Sequence, residues 1–441
     1  MTAITPPRTR IDTIRWPDLA PIRASVRSRL ESSVADVLFR QAVRRLPVRV
    51  LYPDGSTIGA GDATSPVMEL HRPEEFLRRL GSGKLIGFGE SYMAGDWDAP
   101  DLGAFLTELS RNIANLVPEP LQKLRALFVA RHPAAERNVE ENTRDNIARH
   151  YDLSNAMFAT FLDETLTYSS ALFAEPGHAA RNTLSRAAVS TAPAPGSPTA
   201  ADFADAQRRK IDRLLDQSGV TEGSRVLEIG TGWGELCIRA AARGATVRSV
   251  TLSSEQQELA RARVAEAGYA DQVSIDLLDY RAVKGEYDAI VSVEMIEAVG
   301  IEFWPAYFAK IDALLAPGGK AAIQAITMPH DRMLATRYTY TWVHKYIFPG
   351  GFLPSVQAID QITRESTRLR ISDRLSMGLH YAETLRLWDQ AFLAASDKVH
   401  ALGFDAVFDR MWHFYLEYSR AGFASEYIDV QQITLSRDDD R

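Results

Sequence analysis

The stretch Val226-Leu-Glu-Ile-Gly-Thr-Gly-Trp-Gly234 constrains this chain most. Residues 226–229 are apolar apart from Glu228 and read as a buried strand. Gly230, Gly232 and Gly234 follow at alternate positions, and residues 235–243 read as a helix closed by Gly244. Strand, glycine turn and helix in this order open a nucleotide-binding α/β sheet. The glycines let the main chain lie against a ligand that a Cβ would hold off. A turn with a purely structural role is the alternative.

Dinucleotide dehydrogenases use a similar turn, but they place an acid for the ribose about 20 residues further on. Here the next strand, residues 246–253, ends in Thr251-Leu-Ser253. Glu228, two residues before Gly230, is placed to face a cationic ligand. This combination resembles class I S-adenosylmethionine methyltransferases, a Rossmann-like α/β fold with a mostly parallel sheet.

The chain has 441 residues, enough for two domains. Its 46% hydrophobic and 24% charged residues suit an ordinary globular protein. The single cysteine, Cys237, rules out an internal disulfide and reads as a small core residue. No apolar run approaches the length of a membrane span, and the start lacks a signal-peptide core, so a cytoplasmic location is expected. No metal site is expected.

Charge is uneven along the chain. Residues 1–50 carry ten arginines against Asp12, Asp18, Glu31 and Asp36, while the whole chain stands at −7. A basic end on an acidic protein suits an anionic surface. Residues 22–46 read as a helix with Val26, Leu30, Val34, Val37, Leu38 and Val43 as apolar positions. That helix fits two readings, lying on anionic lipid headgroups or packing with a solvated face. No aromatic interleaving accompanies the arginines, so no nucleic-acid partner is expected.

Strands at 48–52 and 67–71, a helix from Pro73, a glycine- and aromatic-rich stretch at 87–97 and a helix at 101–116 suggest a small α+β domain over residues 1–130. Residues 131–139 read as a linker, and 140–441 as the second domain, opening on an amphipathic segment at 140–153. Residues 181–202 are rich in Ala, Ser, Thr and Pro and read as a mobile insertion. Strands at 273–278, 287–293 and 320–326 alternate with helices, and 428–435 supplies a late strand near an antiparallel hairpin. The ligand edge then carries Gly230, Gly232, Thr251, Leu252, Asp279, Tyr280 and the 294–297 segment. Gln256 can reach the amino-acid part of the ligand, and Asp279 with Tyr280 suits its adenine edge.

Several further motifs sharpen the resemblance. They are Tyr151-Asp-Leu-Ser-Asn155, Thr167-Tyr-Ser-Ser-Ala171, Thr251-Leu-Ser-Ser-Glu-Gln256, Ser292-Val-Glu-Met-Ile-Glu-Ala-Val-Gly300 and Lys345-Tyr-Ile-Phe-Pro-Gly-Gly-Phe-Leu-Pro-Ser355. Together with residues 228–234 they resemble the cyclopropane-fatty-acid synthase family over about residues 140–435. Within it, the chain is most similar to actinobacterial fatty-acid methyltransferases of the tuberculostearic-acid type. The resemblance extends the S-adenosylmethionine set to Tyr168, Ser169, Trp233 and Gly234. It implies a bicarbonate held near Ser170, Glu297, Gln324, Ile326 and Tyr381, acting as the base. It also implies a phospholipid substrate, a homodimer, and peripheral association with the inner face of the cell membrane.

Two positions depart from the family pattern: Ser170 stands where cysteine is common, and Gln324 where histidine is common. Glutamine can donate a hydrogen bond but cannot relay a proton near neutral pH. The expected product is therefore a methylene branch, which a separate reductase would saturate, and the resemblance implies carbon ten of an oleoyl chain as its position. Cyclopropane formation is the alternative enzymatic outcome, and a lipid-binding protein on a methyltransferase scaffold is the non-enzymatic one. A small-molecule methyltransferase fits the N-terminal domain poorly. The aromatic residues Tyr338, Tyr340, Trp342, Tyr346, Phe348, Trp412, Phe414, Tyr415 and Tyr418 suit an acyl-chain lining or a packed core equally.

Overall fold

The computed structural model describes residues 11–112, 154–174, 189–192 and 194–437. The chain divides into two compact units, one of residues 1–131, 338–347 and 388–427, the other of 132–337, 348–387 and 428–441. The expected linker at 131–139, the segment at 140–153 and the start of the Tyr151 motif lie outside the described residues.

In the first unit a four-stranded sheet runs β2-β1-β3-β4. Its strands are β1 (Arg49–Leu51), β2 (Thr57–Ile58), β3 (Val67–Leu70) and β4 (Trp97–Asp98). Helix α1 (Val26–Val43) is opened by a Ser25 capping box, α2 (Pro73–Met93) by Pro73, and α3 (Leu102–Arg111) by the Asp101 side chain. The stretch at 87–97 continues α2 as far as Met93, past a break at Lys84 with φ +55. At Gly87 a Cβ would lie 1.9 Å from the Arg79 carbonyl oxygen, so only glycine fits there.

This unit has an aromatic core. Phe88 and Trp97 lie 4.8 Å apart between ring centroids, and Tyr92 lies 5.3 Å from Phe414 of the helix Ala406–Ala424. Trp342, opening the helix Trp342–Tyr346, meets Phe414 edge-on at 4.8 Å. Trp342, Trp412, Phe414 and Tyr415 are buried core residues here, and Tyr338 is exposed. The packed-core reading of these aromatics is the one the structure supports.

Helix α1 buries Ala35 and Val43 but leaves its other aliphatic face open. Val26 is 87% exposed, Leu30 67%, Val34 49% and Val37 63%, at spacings that place them on one stripe.

The second unit carries an eight-stranded sheet in the order β5-β11-β12-β10-β9-β6-β7-β8. The strands are β5 (Val189–Thr191), β6 (Arg225–Ile229), β7 (Thr246–Thr251), β8 (Val273–Leu277), β9 (Tyr287–Val293), β10 (Leu315–Thr327), β11 (Leu369–Ser376) and β12 (Asp429–Arg437). Only β12 is antiparallel to its neighbours, β10 and β11. The late strand is therefore where the sequence places it, but it sits inside the sheet. Within the stretch 181–202, strand β5 pairs Val189–Thr191 parallel with Arg374–Ser376, while residues 181–188 and 193 lie outside the described residues.

Both sheet faces are covered, as a parallel sheet requires. Along β6 the side chains alternate. Leu227 and Ile229 join Ile290, Ile323 and the helix Trp304–Leu314 on one face. Val226 joins Cys237, Ala240 and Leu214 on the other. Helix α4 (Phe203–Gln217), α5 (Glu235–Ala242) and α6 (Ser254–Glu266) cover that second face. Among the described residues no helix is long and apolar enough to cross a membrane.

Candidate active site

Strand order reverses at β6, which lies between β7 and β9. In open α/β sheets a ligand crevice opens at the carboxyl ends of the strands beside such a reversal. Gly230 follows β6, Thr251 ends β7, Asp279 follows β8 and Glu294 follows β9. All four stand on one rim.

The glycine turn is built as the sequence implies. Gly230, Gly232 and Gly234 have φ of +96°, +52° and +90°. A Cβ at Gly230 would lie 2.5 Å from Met295 Cγ, and one at Gly234 would lie 3.2 Å from Ala260 Cβ. At Gly232 it would meet nothing within 4 Å, so this glycine borders open space. A ligand lying along the main chain fits that side.

Glu228 is anchored inward. Its Oε2 accepts from Ser249 Oγ at 2.6 Å and from Cys237 Sγ at 2.8 Å, and burial pushes its carboxyl up to about 7. Cys237 is thus a core residue with a polar task. Thr251 Oγ1 donates to Gln256 Oε1 at 3.0 Å, and Ser253 caps α6, which fixes Thr251-Leu252-Ser253 against the helix start. Asp279 accepts from Nε and Nη2 of Arg281 at 2.9 and 2.6 Å, a bidentate pair that fixes its carboxylate. Tyr280 packs edge-on against Tyr307 at 5.4 Å.

Trp233 and Tyr168 share an aromatic cluster through Phe158, at 5.1 and 5.0 Å. Trp233 Nε1 also donates to Asn155 Oδ1 at 2.8 Å. Ser169 Oγ accepts from the buried Lys210 at 2.6 Å, and the Ser169 carbonyl accepts from Gln207 at 2.9 Å. Burial brings the Lys210 ammonium down to about 8.

The residues expected to hold bicarbonate do come together, but around a different group. The Ser170 backbone N–H and Gln324 Nε2 donate to Glu294 Oε1 at 3.0 and 2.8 Å. Tyr381 OH donates to Glu294 Oε2 at 2.7 Å. Glu297 is engaged separately by the Ile326 backbone N–H, and its Oε2 has no hydrogen-bond partner among the described residues. Three of the five expected contacts are thus already made to a protein carboxylate, and the set does not fit a separately bound bicarbonate.

Burial raises the Glu294 carboxyl, and the donors and the Lys210 charge act against that rise. Burial and the neighbouring Glu294 push Glu297 up to about 8, so Glu297 keeps its proton at neutral pH. Sequence reasoning placed Glu294 on the rim but gave it no role. The available signal was a carboxylate directly after a buried strand, three residues before a second one. It also missed Lys210, Arg281 and Gln432.

Comparison with known proteins gives the family and the fold. A family model described as mycolic acid cyclopropane synthetase matches residues 138–433. The tuberculostearic acid methyltransferase UfaA1 of Mycobacterium tuberculosis is 53% identical, covering 98% of this chain and 97% of its own length. The cyclopropane-fatty-acyl-phospholipid synthase of Escherichia coli is 31% identical, covering 84% of this chain and 87% of its own length. The crystal structure of the mycolic acid cyclopropane synthase CmaA1 complexed with SAH and CTAB superposes with a TM-score of 0.56 at 29% identity, covering 66% of this chain and 97% of that one. The chain belongs to the mycolic acid cyclopropane synthetase family, on a class I methyltransferase fold.

Proposed function

We propose that this protein transfers the methyl group of S-adenosylmethionine to the double bond of an unsaturated phospholipid acyl chain and leaves a methylene branch. One observation carries the reading: a buried carboxyl group, Glu294, that accepts three hydrogen bonds stands on the same rim as the open glycine turn. S-adenosylmethionine supplies an electrophilic methyl there, and an alkene needs one because it is a weak nucleophile.

The chain's own residues account for the rest. Gly232 leaves the main chain accessible to the cofactor, and Thr251, Gln256 and the Asp279–Arg281 pair shape its flanks. Methyl addition leaves a cation on the acyl chain. A hydride shift brings that charge to the methyl-bearing carbon, and proton loss from the methyl gives the methylene. Loss without the shift would close a three-membered ring. Gln324 cannot relay a proton near neutral pH, and its donor is held by Glu294, which favours a cation that lives long enough to rearrange. Saturation of the branch needs hydride from a separate reductase. With methyl-labelled S-adenosylmethionine and oleoyl-phospholipid vesicles, label should enter the lipid fraction. Cofactor binding without label transfer would instead favour a lipid-binding role.

We further propose that α1 docks on anionic bilayers. Its exposed stripe of Val26, Leu30, Val34 and Val37 is apolar, and Arg23, Arg29, Arg44 and Arg45 are exposed on or beside the helix. Arg40 is paired to Asp36 at 2.8 Å and is the poorer probe. Leu30→Asp with Val37→Asp should lower binding to anionic vesicles at least about tenfold, and added salt should weaken the wild type. Equal binding to anionic and neutral vesicles would count against this surface. A homodimer, implied by the family resemblance, is checked by light scattering.

A further inference from the structure

We propose that Glu294 is the base that takes the proton from the methylated acyl chain, in place of a bound bicarbonate. This inference rests on the methyl-transfer reading above and names the group that completes it.

The carboxylate is fixed from three separate elements: the Ser170 main chain, Gln324 on β10 and Tyr381 on the helix Gly378–Ala394. None of these donors is charged, so the carboxylate is positioned without being neutralised by direct pairing. Gln324 is itself locked. Its Oε1 accepts from Gln432 Nε2 at 3.1 Å, and Gln432 Oε1 accepts from Arg213 Nη1 at 2.8 Å. This chain leaves the Gln324 amide N–H pointing at Glu294. Ser170 contributes only its backbone N–H, because its hydroxyl donates to the Ala171 carbonyl at 3.1 Å. The departures from cysteine and histidine at these two positions suit a site whose acceptor is already part of the chain.

The backbone agrees. Glu294 has φ +50°, a region that is strained for an L-residue with a side chain. Such strain gathers where geometry matters for function. The Glu294 N–H donates to the Gln324 carbonyl at 2.7 Å, which ties the strained residue to the strand that orients its side chain. Glu297 is the companion acid. It stays neutral beside Glu294, and its Oε2 lacks a partner among the described residues.

The step balances without a further reagent. A C–H bond of the added methyl breaks, and its electron pair forms the methylene double bond to the adjacent cationic carbon. The proton bonds to a Glu294 carboxyl oxygen and passes to water after the product leaves.

Two variants test this. In Glu294→Gln the side-chain oxygen can still accept from Ser170 and Gln324, while the basicity is gone. Its turnover should fall about 10³-fold, within the range general-base catalysis supplies, with S-adenosylmethionine affinity kept. Glu294→Gly relieves the positive φ and frees the three donors. Added formate or bicarbonate should restore its turnover at least about tenfold, as expected when an external base replaces a missing one. A merely structural role for Glu294 would show no such rescue. Wild-type turnover should be the same in carbonate-free buffer. A wild-type rate that falls without bicarbonate and returns with it would overturn the proposal. So would a Glu294→Gln rate within about tenfold of wild type, since loss of a general base costs more. If the wild type itself transfers no methyl group, the methyl-transfer reading fails, and this one with it.

Discussion

Gly232→Val should abolish S-adenosylmethionine binding while the second unit stays folded. Gly232 has φ +52, and a Cβ there would point into space with no protein atom within 4 Å. The three isopropyl carbons then occupy the room a ligand needs beside the main chain. A loss of at least about 3 kcal/mol, or more than about 100-fold in affinity, is expected by calorimetry. Backbone strain alone costs about 1–2 kcal/mol of stability and must be separated from this effect. Gly219 provides the control. It also has a positive φ, +75, and its Cβ would likewise meet nothing within 4 Å, but it follows α4 away from the rim. Gly219→Val should lower stability comparably and leave affinity unchanged. Equal affinity losses in both variants would remove the glycine turn from the binding site.

Arg410→Leu should destabilise the first unit by about 3–5 kcal/mol, the usual cost of breaking a buried charged network from one side. Arg410 is fully buried. Its Nε donates to the Tyr92 carbonyl at 2.7 Å, and its Nη2 donates to the Trp97 carbonyl at 3.0 Å and to Asp98 Oδ1 at 2.6 Å. The guanidinium also lies 4.1 Å over the Tyr92 ring. Leucine fills part of the volume but leaves Asp98 and two carbonyls without these donors. Denaturant unfolding followed by tryptophan fluorescence reads the change, since Trp97 belongs to this core. A shift below about 1 kcal/mol would mean water replaces the guanidinium at little cost.

The second unit was legible because its signals are local. Residues 226–234 carry their own strand, turn and helix start, and β6 and β9 are nearly continuous buried runs, as a parallel sheet covered on both faces requires. The first unit was legible as a small α+β fold but not in its extent. Residues 338–347 and 388–427 cluster with it through packing of Trp342 and Phe414, and nothing in the local sequence distinguishes that packing from an acyl-chain lining. The short strand Val189–Thr191 was hidden because sheet pairing, not composition, forms it. Glu294 was hidden for a related reason. Its three donors lie 124, 30 and 87 residues away, so their convergence is a tertiary fact. Sequence could say that Ser170, Gln324 and Tyr381 meet, by resemblance, but not that a residue of the chain meets them.

The central claim is a methylene-forming methyl transfer to a phospholipid acyl chain, and the structure of the product tests it most directly. The purified protein would be given S-adenosylmethionine and oleoyl-phospholipid vesicles with no reductant. The methylene and cyclopropane products are isomers of one mass, so proton NMR of the released fatty esters must separate them. The account predicts the vinylic signals of a =CH2 group attached at carbon ten, with one S-adenosylhomocysteine formed per chain modified. Upfield ring-proton signals alone, with no vinylic branch, would contradict it.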